Sequence, residues 1–391
     1  MTRTFYDTRT AKRRERAVLV GFDLRNGVDP EESLRELALL ADTAGAEVCG
    51  SMRQKRGRPS ASTFLSKGKV EEARTLLATY DADVLLFDED LSPAQVRNLE
   101  KATEAKVVDR SELILDIFAR RARTRESRLQ VELAQLEYSL PRLTGMWKHL
   151  ERLGGGIGTR GPGESQLESD RRIVRDRISL LKRQLEKVEA ERRVQRKSRE
   201  RAFRVAIVGY TNAGKSTLMN ALTSSEVFTE NRLFATVDST TRRLKVGHAE
   251  HPVLVTDTVG FIRKLPHHLV ASFRSTLSEV VDADLLLHVA DGTDPAVDEH
   301  LSTVEAVLTE LGAEHTPRLL LLNKMDALAP DRREELLSLH PDALPISART
   351  GLGLPALKSR VLETRPERGQ PRGGPARGAG KPHAPARTRA T

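Results

Sequence analysis

Cysteine and long apolar runs are both scarce in this chain of 391 residues. The single cysteine, Cys49, excludes a disulfide framework within one chain and fits a reducing compartment. The longest apolar runs, such as 284–290 and 319–322, have the length of a strand, whereas a membrane-spanning helix needs roughly 20 apolar residues. Residues 1–16 are polar and basic without an apolar core, so they are not a secretory signal and are predicted to be flexible. These absences predict a cytoplasmic protein, with a peripheral membrane-associated fraction as the alternative.

The net charge of +9 is concentrated at one end of the chain. Residues 365–391 contain seven Lys or Arg residues against one acid, Glu367. This segment consists mainly of Pro, Gly, Arg and Ala without periodicity, and it cannot bury enough apolar surface to fold. We therefore predict a disordered basic tail. The net charge is weak evidence for a nucleic-acid partner of the folded part, so local clusters must be considered instead.

Residues 17–110 alternate between strand and helix patterns. Val18–Phe22 and Val84–Phe87 have the composition of buried strands, and 31–43 has the periodicity of a helix. Such alternation predicts a small βαβ-type domain with a parallel sheet covered by helices.

A polar, basic stretch at 51–62 follows a predicted short strand at 47–50. It is predicted to be a surface loop, and the sequence favours a solvated loop and an RNA contact about equally. The candidate RNA contacts in it are Arg53, Lys55 and Arg56.

The segment 111–201 has the pattern of two long helices. Apolar residues recur at spacings of three and four in each helix, which predicts an antiparallel coiled-coil hairpin followed by a charged linker. The seam residues are Leu129, Leu133, Leu136 and Leu140 in the first helix, and Val174, Ile178, Leu181, Leu185 and Val188 in the second. Between the helices lies the glycine-rich segment 154–163 with Arg160. Its exposed N–H groups and arginine favour contact with RNA or a nucleotide, although it could also be a flexible hairpin tip.

Residues 202–364 have the pattern of a larger α/β domain, with strands near 204–208, 253–257, 285–290 and 319–322. Gly209–Ser216 matches G-x-x-x-x-G-K-[ST] and stands between an apolar strand and a helical run, which is the context that a phosphate loop requires. Its N–H groups can surround phosphate oxygens, Lys215 can contact the β- and γ-phosphates, and Ser216 can bind Mg2+.

Two further segments complete a predicted triphosphate site. Asp257, at the end of a buried strand, begins a D-x-x-G motif; its carboxylate can hold Mg2+, and Gly260 leaves an N–H free for the γ-phosphate. The hydroxyl-rich segment 233–242 lies between the two motifs, and Thr236 is the predicted threonine that reaches both Mg2+ and the γ-phosphate.

The base preference is predicted by Asn323-Lys-Met-Asp326. The Asp326 carboxylate can accept hydrogen bonds from guanine N1 and N2, and adenine offers no matching donors. Asn323 can contact the base and brace the phosphate loop, the Lys324 stem can cover the base, and the Ala348 N–H, after Ser347, can point at guanine O6.

Together, these motifs predict a GTPase with GTP and GDP as ligands and Mg2+ as cofactor. The predicted catalytic residues are Lys215, Thr236 and Gly260, and the predicted metal ligands are Ser216, Thr236 and Asp257. The predicted GTP-binding residues are Gly209, Tyr210, Thr211, Asn212, Ala213, Gly214, Lys215, Ser216, Thr217, Phe234, Ala235, Thr236, Val237, Asp257, Thr258, Val259, Gly260, Asn323, Lys324, Met325, Asp326, Ser347, Ala348 and Arg349.

The chain resembles the HflX GTPases in more than the nucleotide motifs. The similar segments span about residues 17–362 and include Leu91–Glu100, Val108–Phe118, Gln130–Gln135, Pro141–Leu143 and, most specifically, Gly155–Arg172. The resemblance implies a P-loop GTPase domain preceded by an N-terminal domain and the helical hairpin. It also implies binding to the 50S ribosomal subunit, release or splitting of stalled ribosomes, and a hairpin that carries its loop towards ribosomal RNA. We expect a monomer.

Two residues depart from common patterns. Phe261 stands where many GTPases have glutamine after the D-x-x-G glycine, and phenylalanine cannot orient an attacking water, which predicts slow hydrolysis until a partner contributes. Pro345 precedes the Ser347-Ala348 motif, although proline is unusual in a central strand.

Three other hypotheses about the function remain. An Era- or Obg-like GTPase of ribosome assembly would use the same chemistry, and a nucleotide-gated RNA-binding protein would hydrolyse GTP only incidentally. A second nucleotide site for ATP in the N-terminal domain is the third, although no phosphate-loop motif occurs there.

Overall fold

Two β-sheets organise the chain in the computed structural model. The described residues are 14–23, 29–55, 58–144, 162–197, 202–223, 233–244, 252–265 and 274–365. Within these ranges, no helix combines the length and the apolarity that crossing a bilayer requires.

The first sheet has four parallel strands in the order β2-β1-β3-β4. The strands are β1 (Arg16–Phe22), β2 (Glu47–Gln54), β3 (Val84–Phe87) and β4 (Lys106–Val108), and the helices are α1 (Pro30–Ala44), α2 (Lys67–Tyr80), α3 (Pro93–Thr103) and α4 (Arg110–Arg121). The central strands β1 and β3 are buried along almost their whole length, as expected when helices cover both faces of a parallel sheet. Local signals fix the helix starts: Ser92 forms a capping box with Gln95, and Pro93 stands at the first position.

Two details of this first domain differ from the sequence predictions. β2 continues to Gln54, so Arg53 lies in a strand and not in a loop. Helix α4 packs on the first domain, because its Ile114 and Phe118 are buried in one cluster with Leu37 of α1. The boundary predicted between residues 110 and 111 therefore cuts α4 at its first residue.

Two long helices follow, α5 (Arg125–Ser139) and α6 (Pro162–Lys197), with a short 3-10 helix at Leu140–Thr144. Leu133, Ile178 and Leu181 are buried where the helices meet, and most of the predicted seam residues pack around them. Ion pairs between Glu132 and Arg177 and between Glu137 and Lys182 flank this seam.

The second sheet has six strands in the order β10-β9-β8-β5-β7-β6. The strands are β5 (Phe203–Gly209), β6 (Thr240–Arg243), β7 (Val253–Asp257), β8 (Leu285–Asp291), β9 (Arg318–Asn323) and β10 (Leu344–Pro345). The helices are α7 (Lys215–Thr223), α8 (Arg274–Val281), α9 (Val297–Glu310), α10 (Pro330–Leu339) and α11 (Leu354–Glu363). All neighbouring strands are parallel except β6, an antiparallel edge strand that the sequence did not predict. β10 is the other edge, which explains why Pro345 is tolerated there.

Several sequence predictions concern residues outside the described ranges. These are most of the flexible N-terminus (1–13), Arg56, the glycine-rich segment at 154–161 with Arg160, and the basic tail from 366 to 391.

Candidate functional site

The carboxyl ends of β5, β7 and β9 lie at one edge of the second sheet, and three of the predicted motifs follow these strands directly. Ligands of open α/β sheets bind at this edge, outside the carboxyl ends of the strands. A cleft of about 430 Å³, open to solvent, is lined there by residues 211–217 without Ala213, by 234–236, and by Thr258 and Gly260. The fold thus brings the phosphate loop, the hydroxyl-rich segment with Thr236 and the D-x-x-G segment to one cleft.

The phosphate loop turns tightly between β5 and α7. Gly214 has φ +96°, and a Cβ at this position would overlap the Asn323 amide nitrogen, so only glycine fits. The Lys215 ammonium donates to the backbone oxygen of Tyr210 at 2.8 Å across this turn. Burial lowers the pKa of Lys215 to about 8, against the opposing effect of the Asp257 carboxylate. A buried lysine of this kind gains free energy when an anion enters the cleft.

Three oxygen-bearing side chains meet beside the loop. The Ser216 hydroxyl donates to Asp257 Oδ2 at 2.6 Å and lies 2.8 Å from the Thr236 hydroxyl. Among the described residues, Asp257 Oδ1 is buried without a hydrogen-bond partner. Burial raises the pKa of this carboxyl even though the Ser216 hydrogen bond opposes the shift. Hydroxyl and carboxylate oxygens are the ligands that Mg2+ prefers, and a cation would satisfy the unpaired oxygen. These residues therefore fit a divalent metal ion.

The segment that carries Thr236 is held to the phosphate loop by its backbone. The Phe234 N–H donates to the Thr211 hydroxyl at 2.8 Å, and Phe234 has φ +52°. Val237 is buried, while Ala235 and Thr236 stay partly accessible at the cleft.

The D-x-x-G segment approaches the loop from the β7 side. A Cβ on Gly260 would lie 2.9 Å from both Lys215 Nζ and Thr211 Cα, so this glycine permits a close approach. The next residue, Phe261, exchanges backbone hydrogen bonds with Gly209 and Thr211. Its ring is 1% exposed and packs in the hydrophobic core, so it cannot act on a nucleophile in the cleft.

Asn323 joins two of the predicted motifs. Its amide donates to the Ala213 oxygen at 2.8 Å and accepts from the Ala348 N–H at 2.9 Å. The bracing role predicted for Asn323 is therefore present in the geometry. The Ala348 N–H, which we expected to point at a base, has Asn323 as its partner in this structure.

The side chains predicted for base recognition lie around Asp326. Hydrogen bonds from Ser347 and Arg349 lower the pKa of the Asp326 carboxyl, and the Arg349 contact measures 2.6 Å. Lys324 has φ +62°, and its ammonium lies 2.5 Å from Asp291 Oδ2. Asp291 was not among the predicted site residues, although a carboxylate at the carboxyl end of β8 was a signal for it.

The candidate RNA contacts Arg53 and Lys55 are not part of this cleft. They lie at the end of β2, in the other sheet, where Arg53 pairs with Glu31 at 3.4 Å and Lys55 is exposed.

Contacts between the motifs and the rest of the chain were also missed. Asp238 accepts hydrogen bonds from Arg123 and Thr124 at the start of α5, and the Phe234 ring packs edge-to-face on Phe118 of α4 at 4.7 Å. No local pattern predicts such pairings, because each partner lies more than a hundred residues away.

Three protein-family models together match most of the chain. The models are described as "GTP-binding GTPase N-terminal" over residues 31–119, "GTP-binding GTPase Middle Region" over 121–199 and "50S ribosome-binding GTPase" over 204–324. The chain is 50% identical over 355 residues to the GTPase HflX of Caldanaerobacter subterraneus, and the matched region covers 90% of this chain and 80% of that protein. It is 48% identical over 356 residues to the GTPase HflX of Escherichia coli, which covers 89% and 82%.

The chain belongs to the HflX family of GTPases. As a member of the HflX family it hydrolyses GTP and binds GTP and GDP, and its fold is a P-loop GTPase domain preceded by an N-terminal domain and a middle region. Among solved structures, a GTP-binding protein from Sulfolobus solfataricus in complex with GDP is 24% identical, with a TM-score of 0.46, and covers 90% of this chain and 98% of that one.

Proposed function

We propose that the cleft beside the phosphate loop is where this HflX-family GTPase binds GTP and hydrolyses it to GDP and phosphate. Lys215 neutralises the β- and γ-phosphates, the backbone N–H groups of residues 210–217 surround the phosphate oxygens, and the Gly260 N–H contacts the γ-phosphate. The observation that carries this proposal is the meeting of Ser216, Thr236 and Asp257, because the buried Asp257 Oδ1 has no hydrogen-bond partner in the part of the chain that the structure describes.

Ser216, Thr236 and Asp257 are the residues that would hold Mg2+. When bound, the ion supplies positive charge at the β- and γ-phosphate oxygens, where negative charge develops during hydrolysis. The test is a titration with a non-hydrolysable GTP analogue, with and without Mg2+, for wild type and Ser216→Ala. We expect Mg2+ to tighten analogue binding to the wild type and to have little effect on the variant. Equal Mg2+ dependence in both proteins would contradict this metal site.

Guanine is recognised on the other side of the phosphate loop in this proposal. The Asp326 carboxylate accepts from guanine N1 and N2, and the hydrogen bonds from Ser347 and Arg349 lower its pKa and so favour the ionised form. Asn323 ties this region to the phosphate loop, so that the base and the phosphates are bound as one unit. The Lys324 stem covers the base while its ammonium stays with Asp291.

Hydrolysis by the isolated protein is proposed to be slow. The buried Phe261 ring offers no polar group to the attacking water, so a partner has to order the surrounding segments or supply such a group. Single-turnover rates with and without ribosomes test this idea. We expect the ribosome to accelerate hydrolysis, and equal rates would contradict it.

That partner is proposed to be the 50S ribosomal subunit with its ribosomal RNA. The family model over residues 204–324 is described as a 50S ribosome-binding GTPase, which supports this partner. Helix α6, with 36 residues, is roughly 54 Å long at 1.5 Å per residue, long enough to carry a connecting loop well away from the GTPase domain. We propose that the protein splits or rescues stalled ribosomes as a cytoplasmic monomer. We propose the domain limits that were predicted from the sequence, with one change: residues 111–121 belong to the N-terminal domain.

Cosedimentation with 50S and 70S particles tests this role. We expect stronger association with the GTP analogue than with GDP, and dissociation of 70S particles into subunits. A role in ribosome assembly, as in Era- or Obg-like GTPases, would instead give intact 70S particles and accumulated precursor particles when the protein is depleted. Full cellular activity of Ser216→Ala or Lys215→Ala would favour a nucleotide-gated RNA-binding protein that hydrolyses GTP only incidentally.

A further inference from the structure

A buried cluster of charges lies between the GTPase domain and the N-terminal domain. We call its members Glu36, Asp88, Arg110, Arg263 and Lys264 the interdomain charge cluster. Glu36, Asp88 and Arg110 belong to the N-terminal domain, and their side chains are between 1% and 8% exposed. Arg263 and Lys264 follow the D-x-x-G motif by three and four residues. The cluster therefore connects the segment nearest the predicted γ-phosphate position to another domain.

The cluster is linked by ion pairs at short range. Arg110 contacts Glu36 and lies 2.7 Å from Asp88, and its guanidinium also donates to the Arg263 backbone oxygen at 3.2 Å. Lys264 lies 2.5 Å from Asp88, and Arg263 lies 3.6 Å from Glu36. Lys264 has φ +53°, a conformation that is uncommon outside glycine and persists only where surrounding contacts hold it.

Tyr210 of the phosphate loop is bonded to the same cluster. Its hydroxyl donates to Glu36 and accepts from the Arg263 backbone N–H at 2.9 Å, while its ring stacks on His300 at 3.7 Å. Burial and the neighbouring Glu36 carboxylate raise the pKa of this hydroxyl, so it stays protonated and remains a donor. One side chain thus joins the phosphate loop, the segment after Gly260 and helix α1.

Stability alone is a poor explanation for such an arrangement. Taking several charges out of water costs free energy that their mutual attraction often does no more than repay, and apolar side chains of similar volume can replace buried ion pairs without loss. What the charges provide is a defined geometry, because ion pairs and hydrogen bonds fix the positions of the groups that they join. Here the fixed element is the backbone of residues 260–264, next to Lys215 and Thr211.

We propose that Glu36 is a positioning residue for GTP hydrolysis. Through the Tyr210 hydroxyl and Arg263 it holds the backbone after Gly260 against the phosphate loop, so that the Gly260 N–H stays directed at the γ-phosphate. Glu36 itself touches neither nucleotide nor metal. This proposal rests on the nucleotide placement proposed above and is independent of ribosome binding. It predicts that changes in the cluster weaken binding of the triphosphate and do not change binding of GDP.

The decisive variant is Tyr210→Phe, which keeps the ring stacked on His300 and removes only the hydroxyl. Only the backbone of Tyr210 is proposed to contact phosphate, whereas its hydroxyl bonds Glu36 and Arg263, so we expect GDP affinity to stay within about twofold. Binding of a non-hydrolysable GTP analogue should weaken about fivefold to tenfold and the single-turnover rate should fall about tenfold, as the loss of one buried hydrogen bond allows. Glu36→Gln should likewise leave GDP affinity nearly unchanged, weaken analogue binding and lower the single-turnover rate. Glu31→Gln, an exposed acid on the same helix, is the matched control and should change none of them.

Two outcomes of the binding and rate measurements on these variants would overturn the proposal. If GDP and the analogue both bind equally more weakly, the Tyr210 hydroxyl only supports the phosphate loop. If both affinities and the single-turnover rate are unchanged, the hydroxyl has no role in hydrolysis. If a variant does not fold, amide hydrogen exchange of the wild type decides: the Arg263 amide should exchange more slowly with the analogue than with GDP, and equal exchange overturns the idea. Failure of the wild type to prefer guanine nucleotides would instead refute the nucleotide placement itself.

Discussion

The Asp238 carboxylate accepts a hydrogen bond of 2.6 Å from the hydroxyl of Thr124, the residue that caps the start of α5. It also accepts from the Arg123 N–H at 2.9 Å, so it places a negative charge at the positive end of that helix. Asp238 lies two residues after Thr236, the residue that we propose to contact Mg2+ and the γ-phosphate. The proposed nucleotide sensor and the base of the helical hairpin are therefore joined through a very short stretch of chain.

Asp238→Asn should loosen that junction. Burial works against ionisation of Asp238, but the hydrogen bonds from Ser127, Thr124 and Arg123 outweigh it and lower its pKa. A lowered pKa in the folded state contributes stability that is present at neutral pH and is lost as the pH falls through the acidic range. We expect a loss of about 1 kcal/mol in the free energy of unfolding at pH 7, which is typical of a helix cap.

Urea denaturation at pH 7 and in acid measures the Asp238 contribution, with the exposed Glu334→Gln as control. The difference between wild type and Asp238→Asn should shrink as the pH falls. A difference that stays constant with pH would show that charge at Asp238 plays no part.

Nucleotide binding should take up protons in alkaline solution. The pKa of Lys215 is about 8 without nucleotide, because burial disfavours the ammonium, and a bound phosphate favours the ammonium again. Below about pH 7 the lysine is already protonated, so the linkage is small; between pH 8 and 9 the affinity for GDP should fall as the pH rises. Calorimetry in two buffers with different ionisation enthalpies measures the uptake, which cannot exceed one proton from this group.

Lys215→Arg is the matched variant for this pH dependence, because its guanidinium stays protonated throughout the range. We expect weaker binding with no proton uptake. Proton uptake of the same size in both proteins would assign it to another group.

Asp257→Asn should have opposite effects on the free and the metal-bound protein. Burial raises the pKa of Asp257, so its ionised form costs stability at neutral pH when no cation is present. Replacing the carboxylate by an amide should raise the melting temperature of the metal-free protein by a few degrees. The same change should abolish the tightening of GTP-analogue binding by Mg2+. A lower melting temperature for the metal-free variant would contradict the conclusion that the Asp257 carboxylate is an uncompensated buried charge.

Asn323→Ala should disconnect the base site from the phosphate loop. The change leaves the Ala213 oxygen and the Ala348 N–H without their present partner, at about 1–3 kcal/mol for each buried group. We expect GDP binding to weaken at least tenfold, measured by fluorescent-nucleotide titration, together with a lower melting temperature. Asn98→Ala, which removes an exposed hydrogen bond to Ser62, is the control and should leave binding unchanged.

Much of the fold and cleft followed from local patterns. The order of Gly209–Ser216, Asp257–Gly260 and Asn323–Asp326 predicted which strand ends would meet, because each motif directly follows an apolar run, and parallel strands align their carboxyl ends. β6 was missed because Thr240–Arg243 is short and partly exposed at the sheet edge, without apolar alternation. Pro345 was unexpected for a related reason, since a sequence does not show whether a strand is central or at the edge.

Contacts between domains were not predictable from the sequence in the same way. Glu36, Asp88 and Arg110 are charged residues in ordinary helix and loop contexts, which usually indicates a solvated surface. Their burial depends on Arg263 and Lys264, which lie more than 150 residues later in the chain. Arg110 meets Glu36 and Asp88 within the N-terminal domain, and Arg263 and Lys264 join them from the GTPase domain.

Recognition of a guanine base at Asp326 is what makes this nucleotide site specific for GTP and GDP. Competition titrations of GDP, GTP, ADP and ATP against a fluorescent guanine nucleotide measure this directly. Because an adenine ring offers Asp326 no donors in place of guanine N1 and N2, we expect guanine nucleotides to bind at least about a hundredfold more tightly. We expect Asp326→Ala to lose most of that preference. Similar affinities for GDP and ADP in the wild type would contradict the account.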